Sequence, residues 1–257
     1  MLNIKPITAF TDNYIWLLYD DATRRAFVVD PGEAEPVMHA LRSLRLELTG
    51  ILITHHHFDH VGGLQTLCDR FNPVVYGPVN PDIVRITDRL AANDTVDVLG
   101  MAFTVIEVPG HTLDHIAYFH NGATPVVFSG DTLFAGGCGR LFEGNPRMML
   151  RSLESLAALP PATRVYCAHE YTLANLAFAQ AVEPHNEPLS DRITVAQATR
   201  ERGEPTVPSD IALELATNPF LRCHDGQLHA SLQAQGKSEG HDTLETFTAI
   251  RAWKDSF

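Results

Sequence analysis

The chain is poor in the features that mark several classes of protein. Its 257 residues include only four cysteines, Cys68, Cys138, Cys167 and Cys223, and no two form a C-x-x-C pair. That scatter excludes a disulfide framework and points to reduced, mostly structural thiols in a cytoplasmic protein. No apolar run approaches the ~20 residues that a membrane-spanning helix needs. The opening Met1-Leu2-Asn3-Ile4-Lys5-Pro6 lacks the basic-then-apolar pattern of a secretory leader. Positive charge is scarce as well: 19 Lys and Arg stand against 31 Asp and Glu, a formal charge of −12. Such a balance argues against nucleic-acid or anionic-membrane partners. Repeats, low-complexity tracts and long charge runs are missing. With 45% hydrophobic and 19% charged residues, the composition is that of a globular protein with a substantial core. We expect one large domain, with or without a smaller one, and no need to oligomerise beyond a monomer.

What the chain has in excess is histidine beside carboxylate. Thr54-His55-His56-His57-Phe58-Asp59-His60 follows directly on the apolar Gly50-Ile51-Leu52-Ile53. A solvated turn would carry Gly, Pro, Asn or Ser; this segment carries metal-ligand side chains instead. In extended backbone, side chains two apart share a face, so His55 and His57 can grip one ion while His56 points away. Asp59 and His60, after a turn at Phe58, are better placed to begin a second site. A histidine-rich surface loop is the plain alternative.

The same punctuation recurs. Ile106-Glu107-Val108-Pro109-Gly110 runs into His111, Val126-Val127-Phe128-Ser129-Gly130 into Asp131, and Val165-Tyr166-Cys167-Ala168 into His169. Four apolar strands thus deliver a potential ligand at their carboxyl ends, where crevices form in α/β proteins. Further strands are expected at Leu2–Ile7, Tyr14–Tyr19, Ala26–Val29, Val74–Tyr76 and His115–Phe119, with Phe103–Val108 leading to His111. Helices are expected at Ala34–Leu44, Gly63–Phe71 and Arg147–Leu159. From about residue 172 the pattern turns helical, at Thr172–Val182, Leu189–Glu201, Asp210–Ala216 and Leu244–Trp253, with no convincing strand. Asp30, before Pro31-Gly32, reads equally as a group orienting a ligand or as a turn aspartate. His56, His115, His120, His185 and His224 have no assigned role.

His55-x-His57-x-Asp59-His60 with His111, Asp131 and His169 resembles the metallo-β-lactamase superfamily. Thr11-Asp12-Asn13-Tyr14, Val29-Asp30-Pro31-Gly32, Gly137-Cys138-Gly139-Arg140, Cys167-Ala168-His169-Glu170-Tyr171-Thr172 and Asn218-Pro219-Phe220-Leu221-Arg222 extend the likeness over the whole chain. They resemble glyoxalase II, the hydroxyacylglutathione hydrolases. The resemblance implies an α/β fold, a four-layer αβ/βα sandwich over residues 1–172, with a small helical substrate-binding domain over 173–257. It implies two divalent metal ions, zinc foremost, with iron or manganese as alternatives. One ion would be held by His55, His57 and His111, the other by Asp59, His60 and His169, with Asp131 bridging. Asp59 and Asp131 would be the catalytic carboxylates, Asp59 orienting and deprotonating a water shared by ions about 3.5–4 Å apart.

The implied reaction is hydrolysis of S-(2-hydroxyacyl)glutathione, typically S-D-lactoylglutathione, to glutathione and D-lactate in methylglyoxal detoxification. A thioester suits such a site, because a thiol of pKa about 8.5–9 departs as thiolate without a dedicated acid. Arg140, Tyr171, Arg251 and Lys254 would hold the anionic glutathione. Arg140 stands where lysine is commoner in the family, and Phe142 where tyrosine is, which removes a hydroxyl donor. Taken alone, Arg251 and Lys254 also read as a solvated helix face. The rival readings are a glutathione persulfide dioxygenase with one iron and another hydrolase of the superfamily, such as a lactonase. The Arg251-x-x-Lys254 pair and the helical extension favour the thioester hydrolase.

Overall fold

The structure, a computed structural model, describes residues 2–238, 240 and 242–257. The chain divides into two compact units: residues 1–107 with 114–130, and residues 108–113 with 131–257.

The first unit contains β1 (Leu2–Ala9), β2 (Asn13–Asp20), β3 (Arg25–Val29), β4 (Glu47–Leu52), β5 (Val74–Pro78) and β6 (Asp88–Leu90), which form one sheet in that order. The pairs from β1 to β3 are antiparallel and those from β3 to β6 parallel. β1 is an edge strand and so accommodates Pro6, which has no amide to donate. β2 is buried along nearly its whole length, which is why it reads as an unbroken apolar run instead of an alternation. Two helices, α1 (Ala34–Leu44) and α3 (Leu64–Phe71), flank the short α2 (Phe58–Val61) in the chain order. Val37, Met38 and Leu41 of α1 and Leu64 and Leu67 of α3 bury into a core with Ile15, Leu17, Val28, Ile51 and Val75 of the sheet.

A second antiparallel run, β7 (Thr95–Val98), β8 (Met101–Glu107), β9 (Ile116–His120) and β10 (Val126–Gly130), completes this unit. Tyr118 on β9, fully buried, donates its hydroxyl to the Ile53 carbonyl at 2.8 Å and approaches that of Tyr76 at 3.3 Å. A phenol is thereby satisfied inside an apolar interface and ties the two strand layers together.

The second unit begins with a tight hairpin of β11 (Leu133–Phe134) and β12 (Gly137–Cys138). Then come α4 (Pro146–Ala157), β13 (Arg164–Cys167), α5 (Thr172–Val182), α6 (Glu187–Glu201), β14 (Ser209–Asp210), α7 (Ile211–Thr217), a 3-10 turn at Pro219–Leu221, α8 (Gly226–Ala234) and α9 (Thr243–Asp255). Their starts are chemically marked. The Asn145 side chain accepts from the Met148 amide ahead of Pro146, Asn186 does the same for Leu189, and Asp242 caps α9.

All nine strands expected from sequence are present, and the helices agree to within two or three residues. The expectation of no strand beyond residue 172 is corrected: Ser209–Asp210 pairs antiparallel with β13. Two residues are too few to carry a period. Also unexpected is α8, which opens on Gly226, a residue that lowers helical propensity.

Candidate active site

In the first unit the ligand-rich segment leaves β4 and enters α2 at Phe58. The His55 and His57 rings lie 4.8 Å apart, while His56 turns off to Asp114, its Nδ1 2.9 Å from Oδ1. His55 and His60 are wholly buried, with ring centroids 4.1 Å apart. Asp30 underlies them from the end of β3. One of its oxygens accepts from the Thr54 amide at 2.8 Å; the other accepts from the Thr54 hydroxyl at 2.8 Å and lies 3.0 Å from His60 Nδ1. Since the single Thr54 proton goes to Asp30, the hydroxyl oxygen accepts from His55 Nδ1, 3.0 Å away. Both imidazoles therefore keep Nε2 as the donor toward a cation. Of the two earlier alternatives for Asp30, these contacts favour the one that orients the imidazoles over a plain turn aspartate. Its φ of +53° is a conformation that aspartate tolerates better than most residues.

Two further residues of this unit serve the segment without having been singled out for it. The Asn13 amide donates to Asp59 Oδ2 at 3.0 Å. His115, almost fully buried, stacks on His55 at 4.6 Å with planes 15° apart. Only its position one residue before β9 distinguishes it in the sequence, which is no signal of a role.

The second unit holds His111, Asp131 and His169, all buried. The Asp131 carboxylate faces both imidazoles, Oδ2 being 3.4 Å from His111 Nε2 and Oδ1 3.4 Å from His169 Nε2. In the first unit His60 Nε2 is 3.4 Å from Asp59 Oδ2. Two donors each about 2.1 Å from one tetrahedral ion stand about 3.4 Å apart, so this spacing is what co-ligands of a common cation adopt. His111 Nδ1 donates to the Arg140 carbonyl at 2.8 Å, again leaving Nε2 as the atom free to address a cation. Clusters of imidazole and carboxylate able to hold a divalent cation are thus present in the chain.

Around the second unit's candidate ligands lie the residues expected to bind substrate. The Tyr171 ring stacks on His169 at 4.6 Å, 7° from parallel, and Phe134 meets both rings edge-on. Phe142 is exposed and packs edge-on against His111 at 5.2 Å. Arg140 is exposed and Lys254 half-buried. Lys254 Nζ donates to the Ala174 carbonyl at 3.2 Å and lies 5.1 Å from the centre of the Phe178 ring. Burial first, then the charges of Arg251 and Arg140, lower its pKa from the usual 10.5. Three cations thus act on one region of this unit. Arg251 differs from the other two: only 4% exposed, it donates from Nη1 to the Cys138 carbonyl at 3.1 Å and from Nη2 to Asp255 at 2.8 Å. Cys138, Cys167 and Cys223 are buried, which pushes the Cys138 thiol up to about 11 and that of Cys167 to about 12. None is poised as a nucleophile.

Two family models match. Metallo-beta-lactamase superfamily covers residues 10–91 and 90–169, and Hydroxyacylglutathione hydrolase C-terminus covers residues 170–257. The chain is 51% identical over 258 residues to the hydroxyacylglutathione hydrolase of Pseudomonas paraeruginosa, with 100% of both chains covered. To that of Alkalilimnicola ehrlichii it is 52% identical, with 99% of each covered. Among solved structures, ETHE1 from Myxococcus xanthus superimposes with a TM-score of 0.66 at 25% identity, covering 100% of this chain and 99% of that one. The BLEG-1 B3 metallo-beta-lactamase gives 0.62 at 24% identity, covering 86% and 99%, a likeness of fold. The chain belongs to the hydroxyacylglutathione hydrolase family of the metallo-beta-lactamase superfamily.

Proposed function

We propose that the chain hydrolyses the thioester of S-(2-hydroxyacyl)glutathione, S-D-lactoylglutathione foremost, giving glutathione and a 2-hydroxy acid such as D-lactate in the disposal of methylglyoxal. The observation that carries this reading is the relationship over the full length, C-terminal segment included, to hydroxyacylglutathione hydrolases. A likeness confined to the ligand motif would serve a β-lactamase or a lactonase as well.

His55, His57 and His111 would hold one divalent ion and Asp59, His60 and His169 a second, with Asp131 serving both. The 3.4 Å spacings of Asp131 to His111 and to His169 support a bridging carboxylate, each oxygen addressed to a different imidazole. When bound, the ions, zinc foremost with iron or manganese as alternatives, would supply an activated water and polarise the thioester carbonyl. Asp59, fixed by the Asn13 amide, orients that water and accepts its proton. Arg140, Tyr171 and Lys254 offer accessible surface to the glutathione moiety, and Arg251 adds its charge from behind. Thiolate departs unaided, so the residues need only hold the acyl carbon in line with the water.

Residues 1–172 would form the metal domain and 173–257 the domain that binds substrate, in a monomeric cytoplasmic enzyme. No described helix is long and apolar enough to cross a membrane. The test is S-D-lactoylglutathione hydrolysis before and after chelation, with metal analysis of the same sample. Loss of activity on stripping and recovery on adding zinc, at two metal equivalents per chain, is the expected outcome. A fully loaded protein that leaves the thioester intact would refute the substrate.

A further inference from the structure

The hairpin that runs from Asp131 to Arg140 is buried up to its last residue, yet its own ladder is two residues per strand. A buried loop must place every backbone polar group somewhere. Here the partners are side chains of four C-terminal elements. The Asn218 amide, between α7 and the 3-10 turn, donates to the Gly137 carbonyl at 3.0 Å and approaches that of Phe134 at 3.4 Å. Asn175 on α5 donates to the Ala135 carbonyl at 3.2 Å. Glu214 on α7 accepts the Gly136 amide at 2.9 Å. Arg251 on α9 donates to the Cys138 carbonyl at 3.1 Å and lies 3.5 Å from that of Gly139.

Glu214 is completely buried, and a lone carboxylate there would be strongly disfavoured. It is neutralised by Arg192 at 2.5 Å and held by Ser209 and by Asn218 at 3.0 Å. Polar groups of this kind are not needed to pack helices together, since apolar residues do so at less desolvation cost. Their convergence on one hairpin calls for another reason. The hairpin carries Asp131 at one end, and at the other the Arg140 carbonyl that accepts from His111 Nδ1. The fit is close: a Cβ on Gly139 would meet the Asp131 carbonyl oxygen at 2.0 Å and His111 Nδ1 at 3.1 Å.

We propose that Arg251, Asn218, Asn175 and Glu214 are positioning residues for the metal ligands, so that the C-terminal helices govern metal retention as well as glutathione binding. This rests on the reading of His111 and Asp131 as ligands, but not on the identity of the substrate. Arg251 acts in two bonded steps: it fixes the carbonyls of Cys138 and Gly139, and the next carbonyl along orients His111. Supports behind a ligand are worth about 10–100-fold in metal affinity.

The experiment is zinc release from the loaded holoprotein into excess colorimetric chelator. Arg251→Met should release zinc at least tenfold faster than the parent, Asn175→Ala a few-fold faster, and Arg251→Lys should recover part of the loss. Arg222→Gln is the control. It breaks two ion pairs, with Glu183 at the end of α5 and Asp225 at the start of α8, without a hairpin contact, and should release zinc at the parental rate. Should Arg251→Met fail to fold, Asn175→Ala and Arg251→Lys carry the comparison. Parental release from these variants with only a raised KM would overturn the proposal, as would equal acceleration by Arg222→Gln. If the thioester proves not to be the substrate while the variants still shed zinc, the positioning role stands and the substrate reading falls.

Discussion

Asp30 shows how much can hang on one carboxylate that touches no substrate. It accepts both Thr54 donors and faces His60 Nδ1, so Asp30→Ala frees two imidazoles to rotate or change tautomer. Metal affinity measured by chelator competition should fall about 10–100-fold; an unchanged value would return Asp30 to the rank of a turn residue. Lys254 gives a prediction in pH. Its pKa lies below 10.5 through burial and the neighbouring Arg251 and Arg140 charges. If Lys254 binds the glutathione carboxylates as proposed, their hold should weaken as pH rises through that depressed value, before an ordinary lysine would discharge. Calorimetric titration with glutathione should show affinity declining more steeply in that window for the parent than for Lys254→Met, whose residual slope is that of the glutathione groups themselves. In turnover, Lys254→Met should raise KM far more than it lowers kcat. Asp30 was readable only as an even choice, because a turn aspartate and an orienting one occupy the same sequence position before Pro31-Gly32. The cationic pair was readable as a pair, but three residues of helix do not say which guanidinium or ammonium turns inward.

Among the elements, the hairpin of β11 and β12 is the most constrained and was the least visible. Its strands are two residues each, with no alternation to read, and its stability is lent by side chains from helices up to 113 residues away. Gly139→Ala has no room for its methyl, which would sit 2.0 Å from the Asp131 carbonyl oxygen. Relief requires moving Asp131 or His111. The expected result is a protein with near-normal far-ultraviolet circular dichroism that binds less than one equivalent of its usual metal complement. Full loading of the variant would show that the hairpin yields elsewhere. By contrast, the strands that lead to the candidate ligands were legible from their apolar runs alone. Burial makes β10 and the carboxyl half of β4 continuous in hydrophobicity, and the abrupt change to Asp or His beyond their ends has no packing explanation.

At the scale of the molecule, the ligand motif made the family legible and the C-terminal helices made the substrate legible. The supports between them were not legible as supports: Asn218 stood in a family stretch with no role attached, and Glu214 and Asn175 look like ordinary helix surface residues until the chain is folded. Ions that bind the native state alone stabilise it by about 4.1 kcal/mol at a thousandfold excess over Kd. With about 2–4 °C per kcal/mol for a chain of this size, stripping should lower Tm by on the order of 10 °C. An identical melting curve for loaded and stripped protein would mean that the site contributes nothing to the native state. The thiols point to a different kind of protection. Cys138 and Cys167 sit at about 11 and 12, and burial raises Cys223 further still. Cys68 alone is partly accessible. At pH 8 a disulfide reagent should consume one thiol in the native protein and four after denaturation. An enzyme whose product is a thiol works amid mixed disulfides that exchange through thiolates. By keeping Cys138, Cys167 and Cys223 protonated and out of reach, the fold lets the chain release glutathione turn after turn without becoming glutathionylated at those positions.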